Sequence, residues 1–442
     1  MKFSTTVFFF LLLNCVFAQP AKHVVLVSID GFRPDFYMDS SWPAASLQFI
    51  RDSGAYATEV RVIFPSVTYP SHTTLITGAL PARHGIYYNT PFTAGGKAVW
   101  VTEKKEIKTN TLWDAVHLAG LTSASVSWPV SVGAAIDYNL PETWSETDPS
   151  DRRGAISKFA SPEGLFEEMQ EKAIGHIEAD DLNLKHFSID ENNSRMASYI
   201  IRKYKPSLLT IHIVSVDGAQ HEEGRNGTEV RKAIATADHA VQNLLEAIER
   251  AGIRDSTAII VTGDHGFSDI SQSLAPNIWL AEAGLTGNGN KENWKALFHP
   301  AGGSAFLMLR QKGDTKTLQQ VEKILTSLPD SYKKLFRIVS RKELDKIGAD
   351  PNAAFALAPV QGVSINASAS GEVLKPAKGG AHGFFPEFHE INTGFIAMGA
   401  GINKGLIRDK MGLEDIAPLV AKLLGIEFQA ADGKLVPGII KE

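Results

Sequence analysis

Cysteine is all but missing from this chain. Among its 442 residues there is one, Cys15. A single cysteine forms no disulfide within a chain, so stability has to come from the apolar core. Long apolar runs are equally scarce, and the one of note is at the N-terminus, "MKFSTTVFFFLLLNCVFAQP". Lys2 opens it, residues 7–13 are apolar, and Val16 and Ala18 sit at −3 and −1 of a cleavage position. This pattern predicts a secretory signal peptide over residues 1–18, too short to be a transmembrane span. It contains Cys15, so the exported chain, residues 19–442, would carry no thiol. No later stretch is long and apolar enough to span a bilayer. A basic excess is also absent: the net charge is −5, which argues against a stable nucleic-acid complex. No G-x-S-x-G turn occurs, so the serine nucleophile of an α/β-hydrolase is not expected.

Four short apolar runs are present: "HVVLVSID" (23–30), "LTSASVSW" (121–128), "LLTIHIVSVD" (208–217) and "TAIIVTGD" (257–264). They are nearly continuous rather than alternating, which suits strands covered on both faces of a parallel sheet. Helical patterns lie between them, at 44–54, 111–120 and 228–252. This alternation predicts an α/β fold with a mainly parallel central sheet sandwiched between helices. From about residue 270 to 375 loop-like stretches surround shorter elements, which predicts a smaller inserted α+β lobe. A core strand at 392–399 and a helix at 412–425 would close the chain.

Three of the predicted strands end in aspartate: Asp30, Asp217 and Asp264. Ligands of open α/β sheets bind beyond the carboxyl ends of strands. Carboxylates gathered there repel one another unless a cation lies among them. Histidines accompany them: His221 in "VDGAQH", His265 in "GDHG" and His382 in the glycine-rich "KGGAHGFF". Imidazole with carboxylate is a zinc-type ligand set, and six such groups suffice for two sites of three ligands each. Two metals about 4 Å apart form a clamp for phosphoryl transfer. His72 and His84 are read as hydrogen-bonded structural residues, and His212 as a packing residue.

The blocks "SIDGFRPDF" (28–36), "PSVTYPSHTTLITGALPARHGIYYN" (65–89), "DGAQH" (217–221), "GDHG" (263–266) and "GGAHGFFPE" (379–387) follow in order. Together they resemble the nucleotide pyrophosphatase/phosphodiesterase family, or type I phosphodiesterases, of the alkaline phosphatase superfamily. The resemblance implies an alkaline phosphatase-like catalytic domain over 19–442. It also implies zinc-dependent hydrolysis of phosphodiester or pyrophosphate bonds in a small substrate such as a nucleotide. Two zinc ions per chain are expected. Asp30, Asp264, His265 and Thr68 would hold one, and Asp217, His221 and His382 the other. Thr68 would be the nucleophile, forming a phospho-threonine intermediate, and Asn89 would hydrogen-bond a phosphate oxygen. Tyr69 stands where relatives carry an aromatic that stacks on a base, with Tyr138 or Trp144 as its partner; the other reading of Tyr69 is packing under the loop. Two alternatives remain open. One is a related two-zinc hydrolase of phospholipid headgroup diesters, phosphomonoesters or phosphonates. The other is a non-catalytic exported metal-binding protein.

Overall fold

A computed structural model describes residues 21–94, 99–145, 147–184, 186–287 and 292–441. The expected signal peptide and Cys15 lie outside these residues. The first strand, β1 (His23–Ile29), is the middle of an eight-stranded sheet. Its alternate side chains enter two different cores. Val25, Val27 and Ile29 face one hydrophobic cluster, while Val24 and Leu26 face the other. That is why the run "VVLV" is apolar without alternation: neither face of the strand meets water.

The neighbours of β1 are β5 (Leu208–Ile213) and β6 (Thr257–Gly263), both parallel to it. Beyond β5 lie β3 (Ser123–Val126) and β4 (Tyr138–Leu140), again parallel. Beyond β6 the strand Thr393–Gly399 runs antiparallel and joins β2 (Ala55–Arg61), and Leu406–Gly412 closes the edge. Five of the seven pairings are therefore parallel. Helix Thr228–Arg250 buries Val230, Ile234, Val241, Leu244 and Ile248 along one stripe, packing with helix Ser188–Tyr204 on the first face. Helix Ile416–Leu424 and the helix Thr68–Thr77 cover the second. The chain is thus an α/β sandwich about a large, mainly parallel central sheet.

The run 208–217 does not remain a strand to its end. It stops at Ile213, and Ser215–Glu223 is helical. The cause lies elsewhere in the chain. The buried Asp190 carboxylate accepts the backbone N–H groups of Val214 (2.8 Å) and Ser215 (3.2 Å), which removes two donors from the ladder and caps the turn into the helix.

Residues 270–375 carry separate small sheets. One has four antiparallel strands, Phe336–Val339, Ala356–Pro359, Ala305–Leu309 and Ala296–Pro300, and a core of its own around Phe298, Leu307, Val321 and Leu357. A three-stranded sheet joins Val363–Ile365, Gln272–Leu274 and Leu374–Pro376. Among the described residues no helix is long and apolar enough to cross a membrane.

The central strand sets the stability scale. Leu26 is completely buried, so Leu26→Ala is expected to cost about 2–5 kcal/mol, read as a lower denaturant midpoint with an unchanged slope. Leu118→Ala, at a residue 82% exposed, is expected to change stability by no more than about 0.5 kcal/mol.

Candidate active site

Ile29 pairs with Gly263 at the ends of β1 and β6, so the residues that follow, Asp30 and Asp264, emerge side by side. His265 follows at once. Each aspartate has one oxygen tied to the protein. Asp264 Oδ1 accepts the backbone N–H groups of Gly31 (3.1 Å) and His265 (2.9 Å). Asp30 Oδ2 lies 3.2 Å from His212 Nε2. The other oxygens, Asp30 Oδ1 and Asp264 Oδ2, have no hydrogen-bond donor among the described residues. They converge on His265 Nε2, at 3.3 and 3.1 Å.

A second cluster adjoins the first. Asp217 and His221 are four residues apart on helix Ser215–Glu223 and so share one face. Asp217 Oδ1 lies 3.4 Å from His221 Nε2 and 3.5 Å from His382 Nε2, and it too has no donor. His382 arrives on the glycine-rich loop. Gly379 (φ +89°) and Gly383 (φ +88°) both need a left-handed backbone. A Cβ at these positions would fall 2.0 Å from the His221 carbonyl oxygen and 1.8 Å from that of Ala301. Only glycine lets this loop close over the helix. The His265 and His382 rings stack with centroids 3.7 Å apart, so the two clusters share a wall. Within each triad the ligand-type atoms lie within 4.8 Å of one another. The first triad is buried, whereas the second opens to solvent through the exposed His221.

The tautomers point the same way. Nδ1 of His265, His221 and His382 lies 3.2, 3.1 and 3.0 Å from the carbonyl oxygens of Gly266, Gly380 and Ser66. A carbonyl only accepts, so each Nδ1 carries the hydrogen and each Nε2 presents a lone pair. Three imidazole lone pairs and three donor-less carboxylate oxygens thus face two small spaces. An arrangement made only of acceptors is satisfied by cations, and this nitrogen-oxygen set fits zinc-type metals. The electrostatics agree. Burial, reinforced by Asp217, pushes the Asp30 carboxyl well above its ordinary value, and burial with Asp30 does the same to Asp264. Burial pushes His382 down to about 4, and burial with the neighbouring His382 holds His265 well below its ordinary value. The His265 and His382 imidazoles are therefore neutral and ready to ligate.

Thr68 is the first residue of helix Thr68–Thr77, after Val67 in an extended conformation. Its Oγ1 lies 3.5 Å from His265 Nε2, at the edge of the first cluster. The position combines a hydroxyl with the positive end of a helix. Three contacts fix the turn. His72 Nδ1–H donates to the Thr68 carbonyl (2.8 Å), and Asn89 Oδ1 accepts the Tyr69 N–H (2.9 Å). Ser66 Oγ accepts the Gly383 N–H (3.0 Å), locking the turn to the loop of His382. With its oxygen engaged, Asn89 has its Nδ2 hydrogens left to donate.

The aromatic slot differs from the expectation. Tyr69 is completely buried and offers no open face to a base. Its ring packs at 4.9 Å from Trp100, and its hydroxyl donates to Glu142 Oε1 (2.7 Å) while accepting from Trp144 Nε1 (3.2 Å). Tyr138 stacks on Tyr204 at 3.8 Å, within the helical layer of the first core. Burial explains both departures, because these rings are large apolar surfaces that the core takes up.

Two residues that sequence reasoning did not place at the site stand behind it, His212 against Asp30 and Glu142 against His212. His212 stands in the otherwise apolar β5 and lies between Asp30 and Glu142. A polar residue inside a fully buried strand was the available signal. Burial works to raise the Glu142 carboxyl, but His212, Arg152 and Tyr69 outweigh it and hold the group below its ordinary value.

The family model for type I phosphodiesterase / nucleotide pyrophosphatase matches residues 24–384. Ectonucleotide pyrophosphatase/phosphodiesterase family member 7 of Rattus norvegicus is 21% identical over 430 residues, covering 96% of this chain and 87% of the relative. Family member 3 of Rattus norvegicus is 24% identical over 265 residues, but this covers 58% of this chain and 26% of that longer protein. Human ectonucleotide pyrophosphatase/phosphodiesterase 5 shares the fold with a TM-score of 0.67 at 19% identity, covering 93% of this chain and 97% of that one. An inactive threonine-to-alanine variant of the murine protein, in complex with AMP, superposes with a TM-score of 0.68 at 19% identity and the same coverage. Matched by the family model over most of its length, the chain belongs to the nucleotide pyrophosphatase/phosphodiesterase family of hydrolases, within the alkaline phosphatase superfamily.

Proposed function

We propose that this hydrolase is a two-zinc phosphodiesterase that cleaves phosphodiester or pyrophosphate bonds of nucleotides through a phospho-threonine intermediate on Thr68. The observation that carries the reading is the pair of acceptor-only triads with Thr68 Oγ1 at their edge. Asp30, Asp264, His265 and Thr68 would hold one ion, and Asp217, His221 and His382 the other. Bound zinc would make a hydroxyl more acidic and stabilise charge on phosphate oxygens. The relative that binds AMP, inactive when a threonine becomes alanine, favours a nucleotide substrate and a threonine nucleophile.

The chain's own residues perform the remaining work. Thr68 Oγ1 passes its proton to solvent water and attacks phosphorus in line, the bond to the leaving alkoxide or phosphate breaks, and a leaving alkoxide takes up a proton from water. Water then cleaves the threonine ester and frees Oγ1. Asn89 Nδ2 donates to a non-bridging phosphate oxygen. It is neutral, which suits a diester with its single negative charge. The open second triad gives the leaving group a path to solvent. Residues 1–18 would direct export to a periplasmic or extracellular space, with 19–442 as the catalytic domain and 270–375 as its smaller lobe.

Two measurements test this. Thr68→Ala is expected to keep its metal and to lose turnover by roughly 10³-fold or more. The substrates would be p-nitrophenyl thymidine monophosphate, p-nitrophenyl phosphate and p-nitrophenyl phosphorylcholine, with the first preferred. Full activity in the variant would sink the nucleophile, and preference for the last would move the substrate to phospholipid headgroups. Metal affinity should also fall with pH. Burial, reinforced by Asp217 at Asp30 and by Asp30 at Asp264, pushes these two carboxyls upward, so protons compete with a cation for them as the pH falls, while His265 and His382, pushed downward, compete less. Chelator competition from about pH 8 down to about pH 5 should show affinity dropping by about tenfold per pH unit for each proton displaced. A flat profile would contradict it.

A further inference from the structure

A buried chain of hydrogen bonds runs behind the first triad, away from the substrate. Tyr69 Oη donates to Glu142 Oε1 at 2.7 Å. Glu142 Oε2 lies 3.0 Å from His212 Nδ1, and His212 Nε2 lies 3.2 Å from Asp30 Oδ2. His212 and Glu142 side chains are 2% and 3% exposed, so no bulk water competes for these contacts. Trp144 Nε1–H donates to the Tyr69 hydroxyl, and the buried Arg152 guanidinium lies 4.8 Å over the Trp144 ring, held by the Thr143 carbonyl. Three elements bring the chain together. His212 pairs with Ser28 across β5 and β1, two residues before Asp30, and Glu142 lies just past the end of β4.

We propose that His212, backed by Glu142 and Tyr69, is a positioning residue that fixes the Asp30 carboxylate and couples it to the turn carrying Thr68. The inference rests on the metal reading above. The geometry argues for it in two steps. His212 occupies Asp30 Oδ2, so the rotation of the carboxylate is fixed and Oδ1 is the oxygen aimed at the ion position beside His265. The far end of the chain is the residue after Thr68, and the His72 ring, bonded to the Thr68 carbonyl, packs 4.2 Å from the His212 ring. The metal ligand and the nucleophile are therefore held by one buried network from both sides. None of the hydrogen bonds of this chain reaches Asp217, His221 or His382. Groups that orient metal-ligating carboxylates typically carry about 10–100-fold in metal affinity.

A buried polar cluster that merely fills space would affect folding alone, and the test separates the two. Zinc-loaded protein is titrated with a chelator, and bound zinc per chain is counted by atomic emission. Wild type should release two ions. His212→Phe should release one of them at about 10–100-fold weaker chelation and keep the other at the wild-type midpoint. His212→Gln, which retains a donor toward Asp30, should recover most of the loss. Glu142→Gln and Tyr69→Phe should shift the same ion by less. Excess zinc should restore kcat in His212→Phe. Circular dichroism and the unfolding midpoint of the metal-free variants report the fold. If His212→Phe does not fold, the two milder variants decide, and an unshifted release midpoint in both overturns the proposal. So does a folded His212→Phe that releases both ions as wild type does. A wild-type chain that binds no zinc overturns the metal reading instead, and this inference with it.

Discussion

Mutual repulsion at the carboxyl ends of the central strands is the constraint on which the rest depends. Asp30, Asp217 and Asp264 bring negative charge into a partly buried corner where water screens little. Their free oxygens and the Nε2 atoms of three histidines have only lone pairs to offer one another. Such a corner persists because the fold over-determines it. Gly31 and His265 backbone N–H groups hold Asp264, His212 holds Asp30, and glycines at 379 and 383 let the His382 loop pass where no other residue fits.

The sheet makes this corner repeatable. Parallel strands β1 and β6 end in register, so residues more than two hundred apart in sequence deliver adjacent carboxylates. The third carboxylate uses a different device. Asp190 ends β5 early and starts a helix, and the helical spacing then pairs Asp217 with His221. The turn that carries Thr68 is tied to both clusters, to the loop of His382 through Ser66 and to the edge of the first triad through Thr68. Geometry set by sheet ends, one helix face and one glycine loop is the kind that survives without disulfides.

Much of this was legible in the residues themselves. Apolar runs without alternation marked buried strands, and β1 shows why, with neighbouring side chains entering two different cores. Aspartates at run ends, with histidines beside two of them and a third in a glycine-rich loop, marked the six ligand-type groups, and the resemblance divided them into two sets. The misreadings are equally physical. "LLTIHIVSVD" has the composition of one strand, and only the distant Asp190 carboxylate cuts it short. Tyr69 stands where relatives carry a base-stacking aromatic, yet its ring packs against Trp100 and its hydroxyl donates to Glu142.

Local chemistry and pattern belong to the sequence: the α/β layering and the ligand-type residues follow from residue type and spacing along the chain, and Thr68 is singled out by the family resemblance of the ordered blocks. Which oxygen of each aspartate is free, which imidazole nitrogen carries its hydrogen and which histidine stands behind the site belong to the tertiary structure. Each of these is decided by a partner between one and more than three hundred residues away, as His212 is by Glu142 and Asp30, and His382 by Ser66. A linear pattern records what a residue is able to bond, and only the folded chain brings the partner within 3 Å or so to decide what it does bond.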